Sequence, residues 1–191
     1  TTFQGVRPAL FHYNTSGQPG GYVDFDHYTV DEPRARGIER EIPIGKTITL
    51  ISGADGSFLV ADTQSNTLVN VAADPNPPSP QNARFQVLDL GRGRVALKAA
   101  NGRVLSVTNT QNVVLKDLAG ARCGDAESFQ WVNLMRGDTM LMSLTNHRYL
   151  ATQPNNPGPV TITATGPQPA RKGGACFKYT ITEPAPGKMG Q

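Results

Sequence analysis

The sequence predicts an all-β chain in which one four-stranded unit is repeated three times, and three observations predict it. The first is a strand–turn–strand pattern, clearest over Arg94–Thr108. There Val95, Leu97 and Ala99 alternate with Arg94, Ala96 and Lys98, the period of a half-buried strand. Asn101-Gly102 follows, a short hairpin signal because both residues tolerate positive φ, and Val104-Leu105 restarts the apolar run. The pattern returns over Thr47–Asp62 and Thr139–Thr152, and aligning Leu59, Leu105 and Leu150 sets the copies 46 and 45 residues apart. The second observation is a phenylalanine marker in phase with the first: Ala83-Arg-Phe85-Gln, Glu127-Ser-Phe129-Gln and Ala175-Cys-Phe177-Lys. The third is composition. Twenty glycines and 15 prolines, with no helix-period stripe, favour short strands and turns.

Between the two markers each unit holds one more short strand: Thr67–Val71, Val113–Lys116 and Val160–Thr163. Periods of this length report a repeat architecture. Three units of four strands match a β-trefoil, a six-stranded barrel capped by three hairpins. Three blades are too few for a propeller, and nothing resembles the capping repeat of a solenoid. The trefoil is expected over residues 46–182. Leu59, Leu105 and Leu150 are expected to be buried equivalents, as are Phe85, Phe129 and Phe177, each contributing about 1.5 to 3 kcal/mol by burial.

Residues 1–31 lie outside the repeat. Val6–Tyr13 and Tyr22–Val30 read as strands joined by the glycine-rich loop Asn14–Gly21. Leu10, Phe11, Val23, Phe25 and Tyr28 give this hairpin more apolar surface than a solvated two-strand ribbon tolerates. It is therefore expected to complete a sheet supplied from elsewhere. Residues 32–45 are polar, carry prolines and read as a linker. Asp74–Pro80 lengthens unit one, and Gln153–Pro159 and Gly166–Gly174 lengthen unit three; such loops either bind or are tolerated surface insertions. Residues 183–191 read as a tail.

The chemistry is sparse. Net charge is +3, and no Lys/Arg run is interleaved with aromatics, so nucleic acid is not an expected partner. No apolar run approaches the roughly 20 residues of a membrane span. The acidic residues are scattered over turns without the paired spacing of a glycosidase, and His12, His27 and His147 stand in no nucleophile motif. No active site is expected within the chain. Cys123 and Cys176 occupy non-equivalent places, so a disulfide and two thiols both stay open, and two cysteines alone make no zinc site. Asp24 and Asp26 share one strand face, where they either hold Ca²⁺ or guard a sheet edge as solvated acids. Trp131, two residues after Phe129, and Tyr149, in the slot of Phe58 and Val104, read as core. Sugar hydroxyls call for converging amides and carboxylates. Unit one offers Asp62, Asn70 and Asn82, each of which also reads as an ordinary turn or surface residue. Thr108 and Gln153 replace Asp62 in the other units, so at most one unit is expected to bind.

Two resemblances add to this reading. The run Ala9-Leu-Phe-His-Tyr-Asn14, with Gly21-Tyr-Val-Asp-Phe-Asp26 after it, resembles the closing strands of the β-sandwich that follows the catalytic propeller in family 43 glycoside hydrolases. It implies a C-terminal part of a longer, secreted glycosidase acting on plant cell-wall polysaccharide of the arabinan or xylan type. The partners would be a polysaccharide or oligosaccharide and the rest of the enzyme. The repeats, through Val95–Val107 and Ser57–Asp62, resemble fascin-like β-trefoils. Taken alone, that likeness implies a protein-interaction trefoil without carbohydrate binding. The chain departs from the ricin-type pattern Gln-x-Trp: Ala83, Glu127 and Ala175 stand at the glutamine place and the phenylalanines at the tryptophan place.

Overall fold

The computed structural model describes residues 41–72, 81–134, 137–165 and 173–182. The chain divides into two units, residues 1–34 and 35–191, and every described residue belongs to the second. The expected N-terminal hairpin with Asp24 and Asp26, most of the linker, the loop at 74–80, most of that at 166–174 and the tail at 183–191 lie outside the described residues.

Repeat unit one supplies β1 (Thr47–Ser52), β2 (Phe58–Asp62), β3 (Thr67–Val71) and β4 (Arg84–Gly91). Unit two supplies β5 (Arg94–Ala99), β6 (Val104–Val107), β7 (Val113–Lys116) and β8 (Phe129–Asn133), with a single 3₁₀ turn at Asp125–Glu127. Unit three supplies β9 (Thr139–Ser143), β10 (Tyr149–Ala151), a two-residue β11 (Gly158–Pro159), β12 (Thr161–Ala164) and β13 (Phe177–Ile181). The first and last strands of each unit form the barrel. β1 pairs with β4, β4 with β5, β5 with β8, β8 with β9, β9 with β13, and β13 returns to β1, all antiparallel. The middle pairs, β2–β3, β6–β7 and β10–β12, are hairpins. They meet in a ring: Thr67 opposite Val114, Asn112 opposite Thr161, and Gly158 opposite Asn70. This is the β-trefoil that the repeat predicts.

The core follows the same threefold rule. Leu59, Leu105 and Leu150, Phe85, Phe129 and Phe177, and Leu50, Leu97 and Leu141 are all fully buried, because alternation along each strand turns one apolar row inward. Trp131 is in the core, its Nε1 donating to Asn133 Oδ1 at 2.9 Å and its ring set edge-on to Tyr179. Tyr149 is only half-buried, as is Phe58, because each directly precedes a fully buried leucine in its strand and so leaves the opposite face; the smaller Val104 in the same slot is buried. No disulfide joins Cys123 and Cys176; Cys176 is buried and Cys123 half-buried.

The turns that open each unit share one device. Asp55, Asn101 and Asn146 each accept, through Oδ1, the backbone N–H two residues on, and Gly56, Gly102 and His147 follow with positive φ. In unit two the Ala99 and Arg103 backbones pair around Ala100, Asn101 and Gly102, and only Gly102 has positive φ. The Asn-Gly pair thus makes a three-residue loop rather than the two-residue turn its sequence suggests, with asparagine serving as hydrogen-bond acceptor. Asp55 reaches further: its Oδ2 accepts the N–H of Asn155 in unit three at 2.8 Å. Burial pushes the Asp55 carboxyl up, but the N–H groups of Asn155 and Ser57 and the hydroxyls of Ser57 and Ser52 outweigh it and hold it at about 2.

Candidate functional site

The structure does not bring Asp62, Asn70 and Asn82 to one point. Asp62 ends β2 opposite Thr67, while Asn70 stands opposite Leu59. Asn70 lies three residues beyond Thr67, so the two side chains leave opposite faces of the hairpin. Asp62 Oδ1 accepts the Gln64 N–H at 2.9 Å, and Oδ2 accepts the Ser65 hydroxyl. The Ser65 hydroxyl first, and then the Gln64 N–H, hold its carboxyl below the usual range. Asp62 thus closes its own turn. Asn70 is 2% exposed, and in unit two its place is held by Leu115. Its Oδ1 accepts the Gly158 N–H at 3.1 Å, and its Nδ2 reaches the Asn156 carbonyl at 3.5 Å. It therefore ties unit one to β11, and both ends of its amide are engaged. Asn82 is partly exposed, and its carbonyl accepts the Ala61 N–H at 2.8 Å. Of the three, Asn70 is buried, whereas Asp62 and Asn82 are half-buried.

Unit two carries an open groove of about 580 Å³. Arg94 and Lys98 of β5 and Val104 of β6 form one side, and the β7–β8 connection from Asp117 to Asp125 forms the other. Leu88, Leu90 and Leu118 supply apolar lining. The connection is held as a defined loop. Asp117 Oδ1 accepts the Ala119 N–H at 2.9 Å, the Ala121 N–H returns to the Leu118 carbonyl at 2.8 Å, and Ala119 and Gly120 both take positive φ.

The loop's far end is fixed by Glu127, which is 2% exposed. Its Oε1 accepts from Ser106 Oγ at 2.7 Å and from Lys116 Nζ at 2.9 Å, and its Oε2 from the Gly124 N–H at 2.8 Å. Burial pushes this carboxyl up. The bonds from Lys116, Ser106 and Gly124, with the Lys116 charge, outweigh burial, so Glu127 titrates below its ordinary range and stays ionised. The charge also acts on a neighbour: burial first, and then Glu127, raise the Cys123 thiol, which is protonated at neutral pH. Sequence reasoning missed this network, although a signal was present. Ser106 and Glu127 occupy the places held by Val60 and Ala83 in unit one and by Ala151 and Ala175 in unit three. All six are buried, so one unit has exchanged an apolar pair for a polar one at the same two positions.

A second groove, also about 580 Å³, crosses the outer face of β4 and β5. Arg84, Gln86 and Lys98 line it, with Gln81, Thr47 and Thr182, and it shares Lys98 and Gly102 with the first groove. Gln86 stands directly opposite Lys98 in the register, which sets their side chains next to each other on the outward face. Among the described residues no group of three or more His, Cys, Asp and Glu is placed to hold a metal ion.

No protein-family model matches the sequence, and no curated protein matches it. Solved structures do. A designed threefold-symmetric protein, ThreeFoil, superposes with a TM-score of 0.58 over 71% of this chain and 99% of its own, at 17% identity. A GlcNAcα1-4Gal-releasing endo-β-galactosidase from Clostridium perfringens superposes with a TM-score of 0.59 over 72% of this chain, at 12% identity. That match spans 33% of the enzyme's length. Identities this low carry the architecture alone, and on that ground, together with the closed six-strand barrel and its ring of three hairpins, the chain carries a β-trefoil.

Proposed function

We propose that the trefoil is a carbohydrate-binding accessory module, part of a secreted glycoside hydrolase acting on plant cell-wall polysaccharide of the arabinan or xylan type. The unit-two groove carries this reading. Its volume lies within the range of small-ligand sites. Its lining mixes donors on Arg94, Lys98 and Arg122, acceptors on Asp117 and Asp125, and the apolar surface of three leucines. A sugar, with hydroxyls at its rim and C–H groups on its faces, needs both kinds of surface. Further support comes from the Clostridium endo-β-galactosidase, a glycosidase with the same fold in one third of its length.

The test is retention of the purified chain on immobilised arabinan and arabinoxylan. Retention is expected to be weak and to fall when Asp117→Ala and Asp125→Ala are combined. Asn82→Ala reports separately on unit one: a loss there with the groove variant intact would move the site to the Asp62–Asn82 edge. A chain retained on no polysaccharide would favour the competing fascin-like reading, in which the trefoil binds protein.

A further inference from the structure

We propose that the ligand is an acidic glycan, a polysaccharide bearing uronate carboxylates, lying along one furrow made of both grooves. The proposal rests on the carbohydrate reading above and deepens it.

The two grooves adjoin at Lys98 and Gly102, which line both, so an extended ligand can pass from one to the other along the outer face of β5. The cations of the furrow fall in a line set by strand geometry. Arg94 and Lys98 leave the same face of β5, four residues apart, which is about 13 Å at a rise of about 3.3 Å per residue. Gln86 of β4 is opposite Lys98, and Arg84 lies two residues further along the antiparallel partner. The order along the surface is therefore Arg94, Lys98, Arg84, spanning about 20 Å. Arg122 adds a fourth cation from the facing loop. A single small anion would need convergent cations; a row of this length suits a polymer with charges at intervals.

The balance of sign agrees. In the second groove the ionisable side chains among the described lining residues are Arg84 and Lys98, and their neighbours are the amides of Gln81 and Gln86. In the first, Asp117 and Asp125 stand against Arg94, Lys98 and Arg122, and the Asp117 carboxylate already accepts the Ala119 N–H of its own turn. Arg94 is oriented for the task, since its Nε donates to the Gly91 carbonyl at 3.2 Å and fixes the plane of the guanidinium. An ordered guanidinium meets a carboxylate through paired N–H groups. Single-stranded nucleic acid is the other polyanion such a row could attract. Among the described lining residues there is no Phe, Tyr or Trp on which bases would stack, and stacking is what such sites add to a basic groove.

The experiment compares glucuronoxylan with the same polymer after chemical reduction of its carboxyl groups, using the full chain in affinity electrophoresis at low salt and at 0.3 M NaCl. Retention is expected on the native polymer, to fall on the reduced one, and to weaken in salt as exposed charge pairs are screened. Arg84→Gln combined with Lys98→Gln is expected to lower affinity for the native polymer about five- to tenfold and to leave the reduced polymer unaffected. Lys178→Gln, an exposed cation outside the furrow, is expected to change neither, and an unaltered melting curve shows that each variant is folded. Equal retention of native and reduced polymer overturns the acidic ligand and leaves the carbohydrate reading standing. Tighter binding of an oligothymidylate than of glucuronoxylan overturns it in favour of nucleic acid. Retention on no polysaccharide, acidic or neutral, overturns both.

Discussion

Glu127 and Asp55 are acids that the fold has taken out of ordinary solution chemistry. Each accepts hydrogen bonds that only the ionised form can accept in full, so each stabilises the trefoil while charged. The folded-state value is depressed in both cases. Their contribution is therefore complete above the ordinary carboxylate value and disappears as pH falls through the depressed one. For Asp55 that window runs from 3.8 down to about 2. The melting temperature is expected to fall over this acid range. Asp55→Asn should flatten part of the fall, at a cost near neutral pH on the order of 1 kcal/mol. Glu127→Gln should cost more, about 1 to 3 kcal/mol, because a buried site loses its ion pair with Lys116 and one acceptor. A melting temperature flat from pH 6 to 2 in the wild type would refute this assignment. Neither role was legible by local inspection. Asp55 reads as a turn residue and is one, but its second oxygen serves a backbone 100 residues away. Asn70 is a polar residue on a face that the alternating pattern assigns to the core, and its partners lie at positions 156 and 158.

The strands were easy to read, because each carries an alternating row that recurs at the same place in every unit. Thr67–Val71 and Val113–Lys116 form over the residues their apolar pattern marks. The third unit shows where pattern runs out. Val160–Thr163 was expected as one strand. Instead Gly158–Pro159 pairs with β3, Val160 is buried between, and the strand proper starts at Thr161. A Gly-Pro pair preceded by another proline does not signal a strand, and what makes it one is the edge that β3 offers. Turns were legible in kind and not in length, since a side-chain acceptor at Asn101 and a left-handed residue at Gly102 serve two- and three-residue loops alike. Two glycines separate the physical causes. A Cβ on Gly102 (φ +85) would meet nothing within 4 Å, so Gly102→Ala carries backbone strain alone, about 1 to 2 kcal/mol. At Gly174 (φ +76) the added carbon would run into the Thr152 carbonyl, part of the bridge by which the Thr152 N–H donates to Gly174 O at 3.0 Å. Gly174→Ala is expected to destabilise distinctly more than Gly102→Ala in urea denaturation. Equal midpoints would show that the chain relaxes around Gly174.

At the scale of the whole trefoil, threefold arithmetic decides what must be present. β1 pairs on one side with β4, its own unit's last strand, and on the other with β13, the last strand of unit three. A chain cut before Phe177 would leave β1 and β9 with open edges and remove one of the three core phenylalanines. Such a truncation is expected to lose cooperative unfolding, whereas removal of residues 1–34 should leave the melting temperature within a few degrees. A melting temperature that collapses on the second deletion would mean that the trefoil core is not self-sufficient. The barrel is legible in the sequence because three equivalent leucines and three equivalent phenylalanines are a global pattern. The grooves are not, because they arise where units differ.

Closing the barrel also fixes where the trefoil is attached to the rest of its chain. The Thr182 N–H donates to the Thr47 carbonyl at 2.9 Å, so the polypeptide leaves the domain beside the point where it arrived. A module whose two leads emerge together behaves as a pendant on a short double cord. It can hang from a surface loop of a host protein without lengthening or redirecting the host's own path. Tension along the backbone would pull on the β1–β13 seam first, and the three hairpins at the cap would feel it last.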